Sequence, residues 1–135
     1  MQPDGILETA VYADDLEAAS TFYGAILGMP EVLRVPGRHV FFSCGSGMLL
    51  VFNPAATQTA GGDLPVPTHG ATGQGHICFR VEADVLDAWI EKLTSKRVEI
   101  EADFRWPNGA RSIYVRDPAG NSVEFAEPKL WGLPA

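Results

Sequence analysis

Two stretches of this chain read alike. ETAVYADDLEAASTFYGAIL, starting at Glu8, and GHICFRVEADVLDAWIEKL, starting at Gly75, each run from a short alternating strand through an acidic turn into an amphipathic helix. Three further strand-like runs follow each copy: EVLRV, RHVFFSC and MLLVFNP after the first, VEIEADF, RSIYVRD and SVEFAEP after the second. Periods of two in the strands and of three to four in the helices separate the two kinds of element. The expected fold is therefore α+β, two βαβββ modules. This duplication constrains the architecture more than any composition figure does, because a module with one helix covers only one face of its sheet. Two modules paired through their uncovered faces, in one chain or across a dimer, close into a concave β-sheet cleft.

The first module is expected over residues 6–54 and the second over 76–128, with a tail at 129–135. Residues 55–75, AATQTAGGDLPVPTHGATGQG, are rich in Gly, Pro and Thr without any period, and read as a connector, either a crossover or a lid. Asp14 or Asp15 caps the first helix, whose stripe is Leu16, Ala19, Phe22, Tyr23, Ile26 and Leu27 and whose stop is Gly28. The second is capped near Asp84, with Val85, Trp89 and Leu93 four apart.

At 135 residues the chain has the size of one domain. Seventeen acidic against ten basic residues give a net charge of -7, which repels a phosphate backbone, and no basic stripe offsets it. Nucleic acid is not an expected partner. No apolar run approaches the ~20 residues of a membrane span, and MQPDGILE has neither the basic nor the apolar region of a secretory leader. A soluble cytoplasmic protein is expected, with Cys44 and Cys78 as free thiols inside apolar runs.

Strand parity selects the residues on the uncovered faces. If Leu7, Thr9 and Val11 pack on the first helix, Glu8, Ala10 and Tyr12 face the cleft; Ile77, Phe79 and Val81 likewise leave His76, Cys78 and Arg80. Core Val123 and Phe125 leave Ser122, Glu124 and Ala126, and core Leu49 and Val51 leave Met48, Leu50 and Phe52. Under the repeat Glu8 corresponds to His76 and Leu50 to Glu124. Three of these four are metal-ligand types. Two carboxylates near an imidazole on an inward face repel one another unless a cation lies between them. A divalent ion held by Glu8, His76 and Glu124 keeps coordination positions open for a substrate. Glu124 and the connector histidine His69 are the candidate catalytic groups. Tyr12, Leu50, Phe52, Arg80 and Trp106 are candidates to contact a small, partly apolar substrate. Trp131, in the tail, is too apolar to leave in water cheaply, and a homodimer is expected.

The residues also carry a resemblance. DLEAASTFYGAILG, YVRDPAGNSVEF and GHICFRV resemble the first helix, the Asp-Pro-x-Gly-Asn turn with its following glutamate, and the second-module opening strand of the vicinal oxygen chelate superfamily. That superfamily includes glyoxalase I, extradiol dioxygenases and the fosfomycin and bleomycin resistance proteins. The resemblance implies a divalent-metal enzyme, a glyoxalase-like lyase or isomerase or else a dioxygenase, with His76 and Glu124 as ligands. The alternative it carries is a metal-free binding protein of the bleomycin-resistance type. Glu8 stands where most members have histidine or glutamine, which favours harder ions; the candidates are Mn, Fe, Zn, Ni and Mg. Leu50 stands where glyoxalase-like members place a fourth ligand and cannot coordinate.

Overall fold

The computed structural model describes all residues, 1–135. The chain divides into two compact units, Met1–Gly73 and Gln74–Ala135.

In the first unit, strand β1 (Glu8–Tyr12) leads into helix α1 (Leu16–Ser20), and strands β2 (Glu31–Val35), β3 (His39–Cys44) and β4 (Gly47–Phe52) follow, then a short helix α2 (Pro54–Thr57). The sheet order is β1-β4-β3-β2, with β1 parallel to β4 and the remaining pairs antiparallel. Asp15 caps α1 by accepting the Ala18 N–H. The sequence predicts one continuous helix up to Gly28. Instead, α1 widens over Thr21–Ile26 into a π-helical stretch, where the Leu27 N–H reaches the Phe22 carbonyl, five residues back. The extra residue per turn keeps both members of the Phe-Tyr pair on the core side: Phe22 is 3% and Tyr23 0% exposed. Gly28, at φ 86°, ends the helix in a conformation other residues adopt only with strain.

The second unit repeats the plan. Strand β5 (His76–Arg80) passes through a 3-10 turn into helix α3 (Leu86–Ser95), and β6 (Ala102–Arg105), β7 (Arg111–Arg116) and β8 (Ser122–Ala126) complete the order β5-β8-β7-β6. A 3-10 turn at Pro128–Trp131 follows β8. Both modules are thus βαβββ, and the α+β expectation holds.

Three further details differ from the sequence reading. Leu7 and Thr9 do not pack under α1. Leu7, just ahead of β1, is 77% exposed and Val11 alone in β1 is buried, β1 being the outer strand of its sheet. Helix α3 is not capped by Asp84; a 3-10 turn at Ala83–Val85 precedes it, and the buried residues are Leu86 and Leu93, with Val85 in solvent. Strand β6 starts later than VEIEADF suggests, since Arg97 takes a positive φ and the Val98 N–H still bonds back to Leu93.

Each unit has its own core. Phe42, Val40, Leu49 and Val51 fill the first; Phe125, Ile113, Val115 and Leu86 fill the second. In the latter Phe125 stacks on Trp89 at 4.9 Å between ring centroids and meets Phe79 at 5.7 Å. Both cysteines are free. No helix is long and apolar enough to cross a membrane.

Candidate active site

The polar cluster of the second unit is set by strand register. Glu124, central in β8, lies opposite Cys78 of β5 on one side and Tyr114 of β7 on the other. All three therefore share the sheet face away from α3. Glu124 is 5% exposed. Its Oε2 accepts the Ser112 hydroxyl at 2.6 Å, and the Ser112 Oγ in turn accepts the Trp106 indole N–H at 2.8 Å. Its Oε1 lies 3.3 Å from His76 Nε2.

His76 is held from the other side by Ser122, whose carbonyl is 3.1 Å from Nδ1. A carbonyl only accepts, so Nδ1 carries the hydrogen, and in the neutral ring Nε2 presents a lone pair to the Glu124 carboxylate. Two electron-rich atoms at that separation are favourable only with a positive charge between them, carried by a proton on Nε2 or by a bound cation. A divalent ion meets that need, and an imidazole whose far nitrogen donates to a backbone carbonyl is the usual arrangement of a metal-bound histidine. The donor chemistry of His76 and Glu124 fits such an ion.

The turn before β8 fixes this pair. Asp117 Oδ1 accepts the Ala119 and Asn121 N–H groups at 2.9 and 2.8 Å, and Oδ2 accepts the Asn121 side-chain amide at 2.8 Å. Asn121, so oriented, accepts the Gly75 N–H at 2.7 Å, while the Ser122 N–H donates to the Gly75 carbonyl at 2.9 Å. The DPAGN segment is thereby tied to the residue before His76.

The neighbours of Glu124 remain protonated near neutrality. Removal from water, and next the Glu124 carboxylate, push the Tyr114 phenol up to about 12. The Cys78 thiol is also pushed up to about 12 by the same two causes in the same order, although part of the residue reaches solvent. Cys78 is therefore no thiolate nucleophile. His76, Cys78, Tyr114 and Glu124 form the polar end of a cavity of about 640 Å³ whose other walls include Trp106, Pro107, Leu130 and Trp131.

The open face of the first unit has the same frame with apolar contents. By register Ala10, Leu50 and Phe41 occupy the places that Cys78, Glu124 and Tyr114 hold in the second. Tyr12, His39, Phe41 and Phe52 cluster there, and His69 joins them from the connector: its Nδ1 is 2.7 Å from the Tyr12 hydroxyl and its ring 4.5 Å from that of Phe52. The His69 backbone N–H donates to the Thr57 carbonyl at 3.0 Å, which anchors this part of the connector.

His39 in this cluster stacks on Phe41 at 4.1 Å, and neither ring nitrogen has a hydrogen-bond partner. Burial, and to a lesser extent the Arg38 charge, hold its imidazole below the ordinary value. The unfolded chain therefore takes up this proton first on acidification. Stability is lost as pH falls from about 6.5 toward the lower folded value and changes no further below it. His39→Phe is expected to raise the thermal unfolding midpoint, and to raise it more near about pH 5 than near about pH 8, where the unfolded imidazole is neutral as well.

A family sequence model for the glyoxalase/bleomycin resistance protein/dioxygenase superfamily matches residues 5–125. The chain belongs to this superfamily. Among solved structures of similar chains, a lactoylglutathione lyase from Agrobacterium tumefaciens is 48% identical, with a TM-score of 0.94 over 98% of this chain and 100% of that one. An integron cassette protein from the mobile metagenome of Halifax Harbour sewage outfall is 27% identical, with a TM-score of 0.74 over 93% and 99%. The fosfomycin resistance protein FosX of Mesorhizobium loti, 19% identical with a TM-score of 0.67 over 96% and 97%, shares the fold. No curated protein matches the sequence.

Within this superfamily member, the sequence-derived candidates fall as follows. His76 and Glu124 come together, and Trp106 joins them through Ser112. Tyr12, Leu50, Phe52 and His69 lie in the first unit. Glu8 is exposed on β1 of that unit, and neither unit by itself gathers three His, Cys, Asp or Glu side chains. Arg80 does not line the cavity; its guanidinium donates to the Pro134 carbonyl and faces Glu82 at 4.0 Å. Sequence reasoning missed Ser112 and Tyr114. The same parity rule applied to RSIYV, with Ile113 and Val115 as core, places both beside Glu124.

Proposed function

We propose that the chain is a divalent-metal-dependent, glyoxalase-like lyase or isomerase that acts on a small molecule with two adjacent oxygens. The His76–Glu124 pair carries it: lone pair and carboxylate face one another at 3.3 Å at the polar end of a cavity of about 640 Å³. The 48% identity to a lactoylglutathione lyase supports lyase chemistry in particular.

A bound divalent ion would supply Lewis-acid polarisation of the substrate oxygens. His76 Nε2 and Glu124 Oε1 would hold it. Ser112, itself held by the Trp106 indole N–H, keeps the second carboxylate oxygen occupied, so Glu124 is oriented before any ligand arrives. Tyr114, protonated and hydrogen-bonded with Glu124, lines the same cavity, and its hydroxyl is the candidate donor to a substrate oxygen once the Glu124 carboxylate is engaged by an ion. Within the first unit, Tyr12 and His69 form a pair of their own: with Nδ1–H donating to the phenol oxygen, Nε2 keeps a lone pair able to accept a proton. Repeat correspondence with His76 offers Glu8 as a further carboxylate donor.

The test is a turnover panel of hemithioacetals and α-hydroxyketones run with Mn²⁺, Ni²⁺, Zn²⁺ or a chelator, with oxygen uptake followed in parallel. Metal-dependent turnover without oxygen uptake is expected, and Glu8→Gln should lower apparent metal affinity if Glu8 belongs to the set. Metal-independent ligand binding with no turnover overturns the proposal in favour of sequestration, which the apolar cavity walls would also suit. Oxygen uptake would instead move the chemistry to the dioxygenases.

A further inference from the structure

The cavity lining is polar around Glu124 and, Asn108 apart, apolar along Trp106, Pro107, Leu130 and Trp131. Trp106 belongs to both parts, since its indole N–H serves Ser112 at the polar end while its ring forms apolar wall. Trp131 belongs to the apolar end alone. It sits on the turn after β8 and lines the cavity while remaining 80% exposed.

Such exposure usually marks a loose terminus, but this backbone is fixed. The Asn108 side-chain amide donates to the carbonyls of Lys129 and Leu130 at 3.1 and 3.3 Å. The Leu133 N–H returns to the Pro128 carbonyl at 3.1 Å and the Gly132 N–H to Lys129 at 2.9 Å. Glu127 accepts the Arg111 N–H at 3.2 Å, and Arg80 reaches Pro134. A large apolar ring is thus held in water at a cavity mouth by a pinned chain, which favours any ligand that covers it.

Charge narrows the ligand class. The cavity is lined by no arginine or lysine, and Glu124 is its one carboxylate; the chain as a whole carries -7. An anionic tripeptide thiol conjugate would bring its carboxylates against a lining that holds no cation, the Lys129 ammonium beside Gly109 being outside it.

We infer that Trp131, with Trp106, Pro107 and Leu130, forms a subsite for the planar apolar group of an uncharged substrate whose adjacent oxygens point toward His76 and Glu124. This deepens the proposed function and rests on it for the placement of the oxygens. Trp131 is a specificity-determining residue, not a catalytic one.

Calorimetric titration of the full chain with one equivalent of Mn²⁺ tests it, using 2-hydroxyacetophenone, hydroxyacetone and S-lactoylglutathione as probes. The aryl ketone should bind roughly ten- to a hundredfold tighter than either of the others. Trp131→Ala should erase that preference for the ring and leave hydroxyacetone unchanged, while Trp131→Phe should keep most of it; circular dichroism confirms the fold of both. An undiminished aryl preference in Trp131→Ala, or tighter binding of S-lactoylglutathione than of the aryl ketone, overturns the inference. Glu124→Gln separates the two claims. If it leaves aryl binding intact while Trp131→Ala abolishes it, the metal reading fails and the Trp131 subsite stands.

Discussion

Glu124→Gln is expected to lower divalent-ion affinity by more than about 100-fold. Disturbing a partner that merely orients a ligand costs about 10- to 100-fold, and here the donor oxygen itself is changed. Glutamine keeps the shape of the side chain and a carbonyl oxygen for the Ser112 hydroxyl, so the fold should survive. Thermal unfolding with and without added ion reads the result. At an ion concentration about a hundred times its dissociation constant, the wild-type chain gains about 2.7 kcal/mol from mass action, and the variant should gain almost none. Equal upward shifts in both proteins would show that the ion binds elsewhere. Elemental analysis of the two proteins provides an independent check.

Phe125→Ala should have the largest effect on stability. Phe125 is 1% exposed and packs between Trp89 and Phe79, so truncation removes its buried area and leaves a cavity that helix and strand cannot both close. Losses of about 3–5 kcal/mol follow from such changes, equivalent to roughly 10 °C or more in the melting midpoint of a chain of this size. Phe125 also follows Glu124 in β8, so metal affinity should fall with stability. A midpoint lowered by only about 1–2 °C would mean that the second core does not depend on this ring.

How far the sequence could be read depended on how completely each pattern was determined by neighbours along the chain. The repeat and its alternating runs were legible because strand parity and helix period are local, and the two βαβββ units follow from them. The pairing of His76 with Glu124 was legible because both open or close a motif that register constrains. Leu7 was misjudged because parity names a face without saying whether anything covers it, and β1 is an outer strand. The π-helical stretch was invisible because Leu27 fits either helical period. Ser112 and Tyr114 were readable but unread: serine and tyrosine in a strand carry no ligand signal until the neighbouring strand is known to hold the glutamate. Trp131 was legible as an anomaly, a large apolar ring near a terminus, but its place at the cavity depends on Asn108, far away in sequence.

The parallel pairing of β5 with β8 has a kinetic corollary. His76 and the Ser122 carbonyl that orients it are 46 positions apart, and no hairpin brings them together; the helix and two strands between must first be laid down. During refolding, ion uptake should therefore trail the formation of helical signal, since the pair proposed to hold the ion does not exist until the outermost strand has docked.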